Sequence, residues 1–224
     1  MLMDKRTMLS SLIVGTAVFL AFSSAASACD FVHQSIPQLF ANSPVIFIGK
    51  VVESPWKQSP NGSSELTGHT VVRLSVERTF RGIVESVVAI PNVGDCTCAF
   101  LEGETYLVHA NRIDDRTVIT GYGFRPMPIG VAGEALKYIE ATLANRPVGV
   151  LEISAPKMDI TLRLQGSTGI AIRTEVQTGS YEIVAPAGEY TAWLEGRDGR
   201  ILGDRKPVRL EQGKAVYLPL GPDR

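Results

Sequence analysis

Apolar and polar residues alternate over short runs through much of this chain, the side-chain period of strands that bury one face. Val72, Leu74 and Val76 alternate with Arg73, Ser75 and Glu77. Ile160, Leu162 and Leu164 alternate with Thr161, Arg163 and Gln165, and Tyr190, Ala192 and Leu194 alternate with Thr191 and Trp193. Turn signals punctuate the second half at Gly166, Thr178-Gly179, Pro186-Ala187-Gly188, Asp198-Gly199 and Gln212-Gly213. Short strands at roughly 8–12-residue spacing predict a small antiparallel β-sandwich over residues 147–224.

The stretch before Pro147 has a different texture. Ser35 to Asn42 predicts a short helix, with Ser35 as N-cap and Pro37 tolerated in the first turn. Val45 to Val52 is a continuous apolar run rich in β-branched residues, which predicts a strand buried on both faces. Pro55 to Gly68 is Pro, Gly, Ser and Asn punctuation, expected as an exposed loop. The alternation from Val72 continues to about Phe80, and shorter strands are expected at Val87–Pro91, Thr105–Arg112 and Arg116–Gly121. Val131 to Arg146 repeats apolar positions at Ala132, Ala135, Leu136, Ile139 and Leu143, a helical spacing that Pro147 stops. Five strands and a closing helix predict a small barrel rather than a parallel α/β sheet. The expected fold is mainly β, with a domain boundary in Asn145-Arg146-Pro147.

The first 28 residues read as a leader. Lys5 and Arg6 precede an apolar run from Met8 through Phe22, and Ser23 to Ala28 supply the small residues of a cleavage site. The run is too short to favour a membrane span, and no later apolar stretch reaches about 18 residues. Cleavage makes Cys29 the first residue of an exported chain of about 200 residues, enough for one large domain or two small ones. The other two cysteines are Cys96 and Cys98. Exported chains consume cysteines in pairs, so Cys29 is expected to bond one of Cys96 and Cys98, the sequence leaving open which. Closing such a loop of roughly 70 residues stabilises by about 4 kcal/mol in the chain-entropy picture. The net charge of −1 carries no electrostatic footprint for nucleic acid.

Residues 29–146 resemble the netrin-like, or tissue-inhibitor-of-metalloproteinases-like, OB-fold domain in its bacterial form. The residues that carry the resemblance are Cys29 at the mature terminus, the strand ending Phe47-Ile48-Gly49-Lys50-Val51, and Val72 to Gly82 running into an Arg-Gly turn. Cys96-Thr97-Cys98, then Phe100 to Val108 with its Phe-x-x-Gly-x-x-Tyr-Leu-Val pattern, and the closing helix complete it. The second half resembles a carboxypeptidase-regulatory-like sandwich, through Thr178 to Tyr181 and the Pro186-Ala187-Gly188-Glu189-Tyr190 turn. The first resemblance implies a five-stranded OB-like barrel with a C-terminal helix. In the animal inhibitors of that family, the amine and carbonyl of the first cysteine chelate the zinc of a target protease, which implies the same role for Cys29. Those inhibitors open with Cys-x-Cys, and here Phe31 stands in the third position.

Other residues offer alternatives. Cys29, after Ser27 and Ala28, is also a candidate lipid anchor, and acylation would block its amine. Cys29 with His33 as base is a nucleophile pair on paper. His69 and His109 lack metal-ligand spacing, so no metal or cofactor is expected. Asp114-Asp115 and Asp198-Gly199 read as hairpin turns, the second of two residues. Trp56, in the long loop, and Trp193, on a strand, are candidate contacts for a glycan or a protein, with sandwich core the alternative for Trp193. Without a nucleophile–base–orienter set, the chain is expected to be no enzyme. The expectation is a secreted or periplasmic protein-interaction module with an extracytoplasmic protein partner. The alternatives are metalloendopeptidase inhibition through Cys29, with a zinc protease as partner, and glycan binding or adhesion.

Overall fold

The apolar run at Val45 has to lose water on both of its faces, and the chain is folded around that need. A computed structural model describes residues 34–54, 56–58, 64–66, 71–82, 85–91, 100–112, 118–119, 126–155, 160–167, 169, 171–176 and 179–220. The elements before Pro147 are α1 (Ile36–Asn42), β1 (Val45–Glu53), β2 (Trp56–Gln58), β3 (Ser64–Leu66), β4 (Val71–Arg81), β5 (Val87–Pro91), β6 (Thr105–Arg112), β7 (Val118–Ile119), β8 (Met127–Pro128), a 3-10 turn (Ile129–Val131) and α2 (Gly133–Leu143). After it come β9 (Val148–Ala155), β10 (Ile160–Gly166), β11 (Ala171–Val176), β12 (Gly179–Pro186), β13 (Gly188–Gly196), β14 (Ile201–Leu210) and β15 (Ala215–Leu218). The protein is mainly β, as its alternation requires. Among the described residues no helix is long and apolar enough to cross a membrane.

The first sheet has the order β5-β4-β1-β6-β7, antiparallel throughout, with β8 on the free part of β6. Its end strands β5 and β7 approach each other, but among the described residues no ladder joins them. Among the described residues the expected barrel is therefore not closed, and β7 contributes two of them, Val118 and Ile119. Val45, Phe47 and Val51 of β1 pack inward with Val72, Leu74, Val88, Ile90, Tyr106 and Val108. Ile46 and Ile48 point the other way, onto α2, with Leu107. Both faces of β1 are thus buried, and a run without alternation is the pattern that satisfies this. The Pro55–Gly68 stretch is not purely loop: Trp56–Gln58 pairs antiparallel with Ser64–Leu66.

Helix α1 begins as its sequence suggests, with Gln38 Oε1 accepting from the Ser35 backbone N–H at 3.0 Å. Its last carbonyls are taken by Arg81, whose Nη1 donates to Phe40 O at 2.8 Å and Ser43 O at 3.0 Å while its guanidinium lies over the Phe40 ring. Helix α2 ends at Leu143, with three residues left before Pro147. Asn145 adopts φ +53°, Arg146 N–H donates to Ala141 O and Asn145 N–H to Thr142 O, the double bond of a Schellman end. Its buried stripe is wider than the predicted one. Tyr138 and Ala141 join Ala135 and Ile139, while Leu143 is half exposed, because α2 is covered by α1, by the first sheet and by β9 and β12.

The second half is a sandwich of two sheets, β11-β10-β13-β14 and β12-β9-β15. One departure from expectation is that β15 runs parallel to β9, so the second sheet is mixed. Leu151, Ile153, Ile183 and Ala185 face Leu162, Leu164, Ala192, Leu194 and Leu210 across the core. Strand β9 again serves two faces, with Val148 and Val150 turned to α2. The Pro186–Tyr190 segment is the corner where the chain changes sheets, and the Tyr190 hydroxyl ties back to Pro186 O at 2.8 Å. Two carboxylates stitch the helices to edge strand β12. Glu134 Oε2 accepts from Val184 N–H at 2.7 Å, and Glu182 Oε1 accepts from Ile36 N–H at 2.7 Å. Residues on the two sides of Asn145-Arg146-Pro147 therefore share one hydrophobic cluster as well as these bonds.

Candidate functional site

Several residues singled out by sequence lie outside the described residues: Cys29, Cys96 and Cys98, and also His33, His69 and Asp114-Asp115. Trp56 stands in β2 opposite Leu66. Asp198-Gly199 does not make a two-residue turn. Gly196 N–H donates to Arg200 O and Gly199 N–H to Gly196 O, with Gly199 at φ +77°. This is a three-residue loop whose left-handed glycine forms the bulge, and the Asp198 carboxylate braces it by accepting from Arg200 N–H at 3.1 Å. Among the described residues no group of His, Cys, Asp and Glu is placed to hold a metal ion.

His109 is 1% exposed, beside Ile46 of β1 in the sheet and under the C-terminal end of α1 at Leu39 and Ser43. The Ser43 hydroxyl donates to Leu39 O and lies 3.2 Å from His109 Nδ1. Since that hydroxyl spends its only hydrogen on Leu39, Nδ1 carries the ring proton and the oxygen accepts it. Nε2 is buried with no partner among the described residues. Burial pushes the imidazole pKa down to about 4, a backbone bond at Leu39 opposes that, and the Arg81 charge adds to it. The ring is neutral and sealed from any ligand.

The outer face of β11-β10-β13-β14 is different. Trp193 lies there, opposite in direction to core residues Ala192 and Leu194, so it is not sandwich core. Its ring is nevertheless only 8% exposed, because the Arg205 guanidinium stands 4.6 Å from the ring centroid. Arg205 reaches that position through a bulge: Ala192 pairs Lys206 and Leu194 pairs Leu202, leaving residues 203–205 opposite Trp193, with Gly203 at φ +75°. Trp193 Nε1 donates to Glu195 Oε1 at 3.1 Å, and Arg163 Nε donates to Glu195 Oε2 at 2.8 Å. The Arg163 bond, then the indole bond, holds the Glu195 carboxyl below the usual carboxylate range.

Beside this assembly Arg163 of β10 stands directly opposite Arg173 of β11. The two border a groove of about 220 Å³ that also meets Gln165, Ala171 and Trp193. Arg173 and Arg205 are exposed, and among the described residues neither forms an ion pair. Guanidinium groups stay protonated at all relevant pH, so they bind and orient anions but do not shuttle protons. With its ring covered, Trp193 offers no open face for stacking on a sugar; it positions Arg205 and Glu195 instead. Sequence reasoning reached Trp193 but missed the three arginines. The visible signal was Arg163, a charge alternating with Leu162 and Leu164, and its neighbour Arg173 depends on a register that no local pattern encodes. No protein-family model and no curated protein matches this chain, so the arginine-lined groove has to be read from its own chemistry.

Proposed function

We propose that the protein is an exported, non-catalytic binding module that takes an acidic partner on the outer face of β10, β11, β13 and β14. The observation that carries this reading is that Arg163 and Arg173 both line one groove that no carboxylate lines, with Arg205 over the neighbouring Trp193 ring and Glu195 bonded to Arg163 and Trp193 beside it. Glu175, two residues along β11, and Glu189, already near Arg209 at 3.9 Å, lie towards the ends of the face. The chain as a whole is close to neutral, so two guanidinium groups with no carboxylate among the groove's lining residues are a feature of this site rather than of composition. Export rests on the leader at residues 1–28. The strand order β5-β4-β1-β6-β7 and the closing helix support the netrin-like reading of residues 29–146, a family of protein-interaction modules. The test is retention of the full mature chain on surfaces coated with polymers bearing carboxylate, sulfate or phosphate groups, beside a neutral polymer. Salt-sensitive retention on an acidic surface, lost on changing Arg163 and Arg173 together to Ala, is the expected result. Equal retention on the neutral polymer, or equal retention of the double variant, refutes the reading.

A further inference from the structure

We infer that Arg163 and Arg173 form an oxyanion subsite, in which one carboxylate, sulfate or phosphate group of the ligand sits in the groove and bridges the two guanidinium groups. This rests on the binding-module reading and names its ligand chemistry. Three observations converge on it.

The first is the register. Arg163 and Arg173 are direct cross-strand neighbours on an antiparallel pair, and like charges so placed destabilise a sheet. By contrast, Glu189 and Arg209 on the same face, also in register, carry opposite charges. An anion between the two arginines converts the unfavourable pair into two charge-assisted contacts, with the forked geometry that guanidinium offers to planar or tetrahedral oxyanions.

The second is that the nearest internal anion is already engaged. Both Glu195 oxygens are occupied, one by Arg163 Nε and the other by the Trp193 indole. Glu195 therefore fixes Arg163 in place and meets the Arg173 charge only through space, and among the described residues no carboxylate bonds the Arg173 guanidinium, which leaves its donors for an outside anion. The third is space. Ala171 and Gln165 face each other on the next pair along the strands, and the small Ala171 side chain leaves the groove open beside Arg173. At about 220 Å³ the groove admits a single pendant group rather than a folded partner surface. Arg205, held over Trp193 by the bulge at Gly203, adds positive potential from β14.

The test uses the full mature chain carrying Trp56→Phe, so that Trp193 is the reporting tryptophan, titrated with sodium sulfate, phosphate, acetate and galacturonate against chloride at matched ionic strength. The expected result is a saturable change in Trp193 emission with at least one oxyanion and none with chloride. A second variant, Arg173→Gln, should weaken that response tenfold or more. Because Arg173 is exposed, this variant should fold, and it should raise Tm by a few degrees at low salt through relief of the like-charge pair. Saturation by sulfate or phosphate alone assigns a sulfated or phosphorylated source, and saturation by galacturonate or acetate alone a carboxylate source. A flat titration with every oxyanion, a response equal to that of chloride, or an undiminished response in Arg173→Gln overturns the subsite. If polymer retention persists while these titrations are flat, the subsite fails and the binding-module reading stands.

Discussion

The sharpest quantitative consequence of the fold concerns His109 and acid. The folded protein holds this imidazole neutral with a pKa of about 4, against 6.5 for a histidine in an unfolded chain. Between those values the unfolded state binds a proton that the folded state refuses, so stability is full above about pH 6.5 and falls as pH drops towards 4. The whole gap, at about 1.4 kcal/mol per pH unit, amounts to about 3 kcal/mol, of which about 2 kcal/mol is gone by pH 5. Below pH 4 this residue costs nothing further, because both states are then protonated. Set against the roughly 5–15 kcal/mol that holds a domain together, this is a large share for one side chain. The physical cause is burial first: the ring is sealed from water, Nε2 has no partner among the described residues to stabilise a second proton, and the nearby Arg81 charge adds to the effect while the backbone bond at Leu39 opposes it.

The assay is urea unfolding at several pH values from about 7.5 to about 4.5, on the wild type and on His109→Gln, which cannot titrate there. The difference between their pH profiles isolates His109 from His33, His69 and the carboxylates. Wild type should lose about 2 kcal/mol more than the variant between about pH 7 and pH 5. Should His109→Gln fail to fold, the wild-type imidazole C–H resonance of His109 supplies the same answer, staying unshifted down to about pH 5. Parallel stability profiles, or an imidazole that titrates near 6.5, would show that the ring is not sealed and refute the reasoning.

Two further outcomes follow from particular contacts. Gly82 has φ +73° and an added Cβ would fall against the Pro44 carbonyl oxygen, whereas Gly103 has φ +84° with open space around it. Gly82→Ala should therefore cost at least about 2 kcal/mol and Gly103→Ala about 1 kcal/mol in urea unfolding, and equal losses would remove the packing part of the argument. Glu134→Ala strips the acceptor from Val184 N–H, so it should cost about 1–3 kcal/mol and speed hydrogen exchange at that amide, while Glu134→Gln keeps an oxygen and loses less. An unchanged Val184 exchange rate in Glu134→Ala would mean that edge strand β12 is not held by this bond.

Much of the architecture was legible locally. The β1 run announced burial on two faces, the alternations at Val72 and Ile160 announced strands with one, and Ser35 marked the start of α1, while α2 runs two residues shorter at its start and three at its end than the expected Val131–Arg146. What escaped depended on partners distant in sequence. Tyr138 and Ala141 are buried because several elements cover α2, which a single helical stripe does not report. The β2–β3 hairpin hides in turn-forming residues because each strand is only three residues long. The parallel seat of β15 beside β9 has no local signature. The candidate site is the extreme case, since Arg163 meets Arg173 by register and Arg205 meets Trp193 by a bulge.

The layers explain why a binding face would lie where these arginines are. The first sheet turns one side to its own core and the other to α2; α2 in turn covers β9 and β12, whose remaining side faces the sandwich core. The outer face of β11-β10-β13-β14 is left to solvent, and it is there that the chain tolerates features a packed face would exclude. The like-charged cross-strand pair Arg163–Arg173 disfavours the free fold, whereas Gly203 takes its left-handed φ without steric cost and the cation over the Trp193 indole is an attractive contact. On the proposed reading, an anion seated in the groove offsets that like-charge repulsion, which is why the pair can stand on this face.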